Sequence, residues 1–113
     1  MPPANPRVSA IQMSSGPDVD RNLAQARELL DEALRSDPNV VAFPENMLLF
    51  SDRPGDYSGN AQTARGKLVT VLQEWAAESD VWLLAGSLPF KAAGGKVTNT
   101  SILFSPEGNL HAR

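Results

Sequence analysis

The stretch VVAFPENMLLF, residues 40–50, joins a short apolar run to a proline and a single carboxylate. Residues 40–43 are apolar throughout, which is typical of a strand that is buried on both faces. Pro44 lacks a backbone N–H and has a fixed φ, so it is suited to ending that strand. Glu45 therefore follows directly on a strand end, where ligands gather in open α/β sheets.

The segments before this stretch show a strand pattern and then a helix pattern. Residues 7–13 (RVSAIQM) are largely apolar on both faces, which predicts an interior strand. Over residues 21–35 the apolar side chains recur at helical spacing, which predicts an amphipathic helix that covers the sheet. Asp18 and Asp20 are both candidates for its N-cap, and the helix should end near Ser36. Strand, helix and strand together predict a right-handed crossover between parallel strands.

The second half of the chain predicts another helix followed by a hairpin. A helical stripe ends near Ser79, and residues 81–90 and 97–104 predict antiparallel strands joined by KAAGGK. SPEG, at residues 105–108, has the chemistry of a type I turn, and a last strand begins at Asn109. The predicted fold class is α/β, with the order β-α-β-α-β-β and helices on at least one sheet face. The other face is expected to be uncovered, and the chain ends in mid-strand, which is unusual for a natural domain.

Length and charge exclude several classes of function. The chain of 113 residues is long enough for one domain, which we place at residues 7–113 behind a flexible N-terminus of residues 1–6. A formal net charge of -3 gives no general attraction to nucleic acid or to an anionic membrane. The sequence has no apolar run of membrane-spanning length and no secretory signal, so we expect a cytoplasmic protein.

The content of cysteine and histidine limits the chemistry further. The sequence contains no cysteine, which excludes disulfides, zinc–thiolate sites and thiol catalysis by these residues. His111 is the only histidine, so it disfavours a multi-histidine metal site. There is no G-x-G-x-x-G after the first strand, and AAGGKV lacks the first glycine of a P-loop. A nucleotide cofactor is therefore not expected, and no metal is expected either.

Glu45 is the candidate catalytic residue. A carboxylate becomes a useful general base when apolar surroundings disfavour its charged form. The segment 46–62 that follows is long for a loop in a compact domain, and such loops are often functional. The alternative is that Glu45 caps the next turn or pairs with Arg53. The side chains that would supply the apolar setting are Val41, Phe43, Met47, Leu48 and Phe50.

Other residues have structural interpretations that compete with functional ones. Trp75 and Trp82 are expected in the core. Gly86 and Ser87 lie inside an apolar strand, where glycine often marks a bulge or a close backbone approach. In the long loop, three further side chains either contact substrate or belong to a solvated loop. These are Asp52, Asp56 and Tyr57.

Five segments in order resemble the start of the nitrilase or carbon-nitrogen hydrolase superfamily, especially its Nit-type amidases. They are RVSAIQM, NLAQARELLDEA, VVAFPEN, LLAGSLPF and TNTSILFSPEGNLHAR, and the resemblance spans residues 7–113. It implies the N-terminal part of an αββα four-layer sandwich that hydrolyses small linear amides through a Glu-Lys-Cys set. It also implies homo-oligomers, dimers or larger, that act without cofactor or metal.

Only the glutamate of that catalytic set transfers to this sequence, and it falls on Glu45. The family lysine lies just beyond the turn, whereas Lys67, Lys91 and Lys96 precede it. The nucleophilic cysteine has no counterpart, so we expect a truncated fragment that is inactive alone. A non-catalytic α/β module whose open sheet is completed by a partner chain is the alternative, and it requires no missing residues.

Overall fold

A computed structural model describes residues 3–113, which form one five-stranded mixed sheet with its helices. The strands lie in the order of the chain, with β1, β2 and β3 parallel and β4 and β5 antiparallel to their neighbours. The predicted strand and helix order is therefore confirmed, with one additional short helix. The elements are β1 Val8–Ala10, α1 Val19–Leu34, β2 Val40–Ala42, α2 Pro54–Gly59, α3 Lys67–Ser79, β3 Trp82–Lys91, β4 Val97–Phe104 and β5 Leu110–Ala112, with a 3-10 turn at Ala93–Gly95.

Helix α1 begins and ends close to the predicted positions. Asp18 is the N-cap, because its carboxylate accepts a hydrogen bond from the backbone N–H of Arg21 at 3.1 Å. Asp20, the other candidate, lies inside the first turn, where its charge interacts favourably with the helix dipole. The last helical residue is Leu34, and the chain then turns into β2.

The core lies between one face of the sheet and the two long helices. Register places Val41, Leu83 and Phe104 side by side on that face, and all three are fully buried. The helices contribute apolar stripes to the same cluster, which explains why their side chains recur at helical spacing. Ala26 and Leu30 come from α1, and Leu68, Val69, Leu72, Trp75 and Ala76 come from α3.

The opposite face of the sheet is apolar but lies outside this core. Its residues are half-buried or exposed, and Val8 retains 54% of its accessible surface. Trp82 is the buried member, and His111 contacts the tryptophan ring edge-on, with the ring centroids 4.9 Å apart. The uncovered second face was thus predicted correctly. Besides Trp82, this open face comprises Val8, Ala10, Val40, Ala42, Leu84, Leu103 and Ala112.

Some predictions differ from the structure. β1 is an edge strand of this sheet, not an interior one, because β2 is its only hydrogen-bonded neighbour among the described residues. The segment 46–62 contains α2, which a pattern of six residues with two glycines could not reveal.

Of the N-terminal segment, residues 1 and 2 lie outside the described residues, and residues 3–6 form no helix or strand. No helix within residues 3–113 combines the length and apolarity that a bilayer crossing needs.

The open face predicts the behaviour of the 113-residue chain when it is expressed alone. Because apolar side chains and a strand edge are exposed, we expect dimers or larger species whose size grows with concentration. Light scattering after size-exclusion chromatography measures this. Val8→Lys should shift the population towards monomer, whereas Asn5→Lys, which adds the same charge outside the sheet, should not. A monodisperse wild-type monomer with a cooperative melting transition would contradict the prediction.

Candidate active site

Glu45 lies where β2 leaves the sheet at its carboxyl end. The backbone N–H of Phe43 still donates to the carbonyl of Leu84 at 2.8 Å, so the pairing with β3 continues one residue beyond β2. Pro44, next in the chain, has no N–H to continue this ladder. The strand therefore ends there, and the next side chain is released from the sheet.

Gly86 allows the backbone before Glu45 to lie against β3. A Cβ at position 86 would collide with the carbonyl groups of Phe43 and Pro44. The β3–β4 register also shifts between Ala85 and Leu88, which marks a bulge at this glycine. Both roles expected for a glycine here, the bulge and the close approach, are thus confirmed.

Asn46 fixes the backbone on the other side of Glu45. Its φ of 53° lies in the left-handed region, which asparagine tolerates better than most residues. Its backbone N–H donates to the Ser87 hydroxyl at 2.8 Å, and Ser87 is only 3% exposed. Since a buried hydroxyl needs a partner, this bond ties the turn after Glu45 to the bulge in β3.

The carboxylate of Glu45 contacts β4. The side-chain amide of Asn99 donates to Glu45 Oε1 at 2.9 Å, and both side chains are exposed. The alternative ion pair with Arg53 is not observed. Arg53 pairs instead with Asp56, with 3.4 Å between Nε and Oδ2. The structure thus places Glu45 against a neutral donor on the neighbouring hairpin.

The expected apolar setting around the carboxylate is absent in this chain. Val41, Phe43, Met47 and Leu48 are buried, but they belong to the core cluster on the helix side of the sheet. Phe50 remains 59% exposed. Strict alternation would place Glu45 on the same side as Val41 and Phe43, but the strand ends at Pro44, and the carboxylate contacts Asn99 instead of the core. Desolvation of Glu45 would therefore need a further covering layer.

The loop between β1 and α1 holds the segment that follows Glu45. Asn22, 3% exposed, accepts from the backbone N–H of Gly16 and donates to the carbonyls of Gly16 and Leu48. The Ser15 hydroxyl donates to the Met47 carbonyl at 2.8 Å. These bonds satisfy backbone groups that would otherwise be buried without partners. They keep the turn of Glu45 from moving away from the sheet.

The long loop is organised by its own side chains. The Tyr57 hydroxyl accepts from the Ser51 backbone N–H and donates to the Ser51 carbonyl, at 3.0 and 3.1 Å. Asp56 accepts from the Ser51 hydroxyl at 2.6 Å and pairs with Arg53. Asp52 is exposed. Asp56 thus has a structural role in the loop, whereas Tyr57 lines a cavity.

That cavity has a volume of about 330 Å³ and adjoins the turn of Glu45. Asn46 and Asn99, the chain neighbour and the hydrogen-bond partner of Glu45, both lie in its wall. The remaining wall comes from α2 and the β3–β4 hairpin. These residues are Pro54, Tyr57, Pro89, Val97 and Thr98.

The sequence interpretation missed Gln62 as well as Asn22 and Asn99. The backbone N–H of Gln62 donates to the Pro89 carbonyl, and its carbonyl accepts from the Lys91 N–H, so both groups bond to β3. The side-chain Oε1 of Gln62 accepts from the N–H of Leu68 in the first turn of α3. It thus anchors the end of the loop and satisfies an otherwise unpaired helix N–H. A polar residue three to six positions before a helix is the only local signal, and it is weak.

Charged groups elsewhere in the described chain are mostly surface features. Within residues 3–113, no three or more metal-ligating side chains lie close enough to hold an ion.

In the turn before β5, hydrogen bonds from the Ser105 hydroxyl and from the backbone lower the pKa of Glu107. The Gly108 N–H donates to the Ser105 carbonyl at 2.9 Å, as the predicted turn requires.

Comparisons with known proteins show which sequences this chain resembles. The family described as carbon-nitrogen hydrolase matches residues 7–113. A deaminated glutathione amidase of Synechocystis is 37% identical over 109 residues, covering 93% of this chain and 39% of the relative. The omega-amidase NIT2 of Mus musculus is 33% identical over 106 residues, covering 92% of this chain and 37% of the relative. The chain thus spans about two fifths of the length of these curated relatives.

Solved structures of two other proteins superpose on this fold. The crystal structure of the C. elegans NitFhit protein superposes with a TM-score of 0.87 at 20% identity, covering 99% of this chain and 28% of that one. Yeast Nit3, from Saccharomyces cerevisiae, gives a TM-score of 0.83 at 24% identity over 92% of this chain and 41% of that one. The predicted α/β fold is therefore confirmed.

The close approach at Gly86 gives a stability prediction. Gly86→Ala should lower the free energy of unfolding by about 3 kcal/mol, because the colliding atoms are backbone and move only if β2 and β3 separate. Gly55→Ala is the matched control, since nothing lies within 4 Å of a Cβ there. It should be neutral or stabilise by up to about 1 kcal/mol. Urea unfolding measures both, and equal stabilities for the two variants would contradict the role given to Gly86.

Proposed function

The chain belongs to the carbon-nitrogen hydrolase family, and we propose on that basis that the intact protein hydrolyses a small linear amide through a cysteine acyl-enzyme. The relatives named above are amidases, which favours an amide over a nitrile as substrate. Residues 7–113 are then the first part of an αββα domain. We also propose that the protein works in the cytoplasm as a homo-oligomer.

The observation that carries the proposal is the placement of Glu45. It lies at the carboxyl end of a parallel strand. The backbone before it packs against Gly86 of β3, and the backbone after it bonds to Ser87 of β3. A cavity of about 330 Å³ adjoins this turn. Asn99, which contacts its carboxylate, lies four residues before Leu103 on β4 and therefore projects from the same open face. A second layer that covers this face would meet Glu45 directly.

Glu45 is the general base in the proposed mechanism. Its carboxylate takes the proton of a cysteine thiol, and the thiolate attacks the amide carbonyl to form a tetrahedral intermediate. A lysine stabilises the oxyanion. The intermediate collapses to a thioester as Glu45 gives its proton to the departing amine. Water, deprotonated by Glu45, then attacks the thioester, and the carboxylic acid leaves as Glu45 returns that proton to the cysteine thiolate.

The lysine and cysteine of this mechanism come from sequence outside these 113 residues. The chain has no cysteine, and its lysines lie at positions 67, 91 and 96, before the turn. Covering the open face would bring both groups to Glu45 and remove its carboxylate from water. Desolvation favours the neutral, protonated form, so removal from water would by itself make Glu45 a stronger base, whereas the positive charge of the lysine acts in the opposite direction.

Replacing Glu45 tests the proposal in the intact protein. Glu45→Gln should lower kcat for release of ammonia from linear amides by about 10²- to 10⁴-fold, because glutamine cannot accept the thiol proton. The thermal transition should change little, since glutamine has the shape of glutamate and its amide oxygen can still accept from Asn99. Glu28→Gln removes an exposed carboxylate from α1 and should leave kcat unchanged. Near-normal activity of the Glu45 variant would reject its catalytic role.

A non-catalytic association module is the second candidate, and the open face is the observation that favours it. Apolar residues such as Val8 and Leu84 would be covered equally well by a separate partner chain. The two proposals differ in the chemistry of whatever covers the face. A covering segment that brings a lysine and a cysteine to Glu45 supports the hydrolase, and one that brings neither supports the module.

A further inference from the structure

The hydrogen bond from Asn99 to Glu45 joins two points 54 residues apart in the chain. An ionised carboxylate can only accept hydrogen bonds, so the amide nitrogen, not the amide oxygen, must face Glu45. Asn99 reaches it from β4, where it pairs with Pro89 across the hairpin. The contact therefore depends on tertiary structure and not on local sequence.

Both partners are mounted on backbone that has little freedom. β4 is anchored by Ile102 and Phe104, which are fully buried in the core. The turn of Glu45 is fixed by its contact with Gly86 and by the hydrogen bond to Ser87. With both backbones fixed, the remaining freedom is the rotation of the glutamate side chain, and the Asn99 amide restricts that rotation.

We propose that Asn99 is a positioning residue that holds Oε1 of Glu45 and leaves Oε2 to accept the proton. This inference rests on the proposed function, in which Glu45 is the base. A neutral amide suits the task better than a lysine or arginine, because a cation so close would favour the charged carboxylate and weaken it as a base. General bases need their accepting atom within hydrogen-bond reach of the proton, and a fixed carboxylate supplies that geometry.

The contact itself can be measured without any enzymatic activity. In the intact protein labelled with side-chain ¹⁵N-asparagine, the Asn99 amide resonances should shift as acidification protonates Glu45. Glu45→Gln should abolish that shift. Asn22 is the internal control, because its amide donates only to backbone carbonyls and should not follow Glu45. An Asn99 resonance that is indifferent to Glu45→Gln would overturn the proposal.

The kinetic effect is measured with two substitutions of similar shape. Asn99→Leu removes the donor and should lower kcat by about 10- to 100-fold, the factor expected for one hydrogen bond to a charged group. KM should change less than about threefold, because an effect on the base appears in the chemical step and not in binding. Asn109→Leu, at an exposed asparagine in the turn before β5, should leave kcat unchanged.

Asn99→Asp separates positioning from a structural role. It keeps the shape of the side chain but places a second carboxylate against Glu45, which disfavours two negative charges at once. The acidic limb of the pH profile of kcat/KM should therefore move to higher pH. An unshifted profile, or wild-type kcat in Asn99→Leu, would contradict the proposal. If the wild-type protein hydrolyses no amide, the proposed function fails, and the Asn99 resonances alone decide whether Asn99 fixes the carboxylate.

Discussion

The close packing of the Phe43–Pro44 backbone against the Cα of Gly86 is the constraint on which the candidate site depends. It brings the end of β2 against the bulge in β3, and the bulge presents Ser87 to the turn that carries Glu45. A side chain at position 86 would separate these strands. The glycine, the bulge and the carboxylate therefore form one unit, in which the backbone of β3 determines where Glu45 lies.

The two faces of the sheet have different roles. The face towards α1 and α3 contains the packed core, and its fully buried side chains stabilise the fold. The open face is apolar but uncovered, and Asn99, the partner of Glu45, projects from that side of β4. The proposed site at this edge would need a further layer that covers the open face.

Sequence patterns predicted most of the secondary structure, because helical and alternating periodicities are local. They placed α1, α3 and the β3–β4 hairpin, and they identified Glu45 as the residue released at a strand end. They could not place Asn99 beside Glu45, because that contact depends on the pairing between distant strands. They could not show that Phe43 packs in the helix-side core and not around Glu45, or that β1 has one neighbouring strand among residues 3–113.

The central claim is that Glu45 is one part of a thiol-dependent amidase site whose other parts lie beyond these residues. Determining the coding sequence that follows the codon for Arg113 tests it most directly. The account predicts an open reading frame with a lysine within a few residues and a cysteine further on. A stop codon directly after Arg113, or a continuation that lacks either the lysine or the cysteine, would contradict the claim and favour an association module.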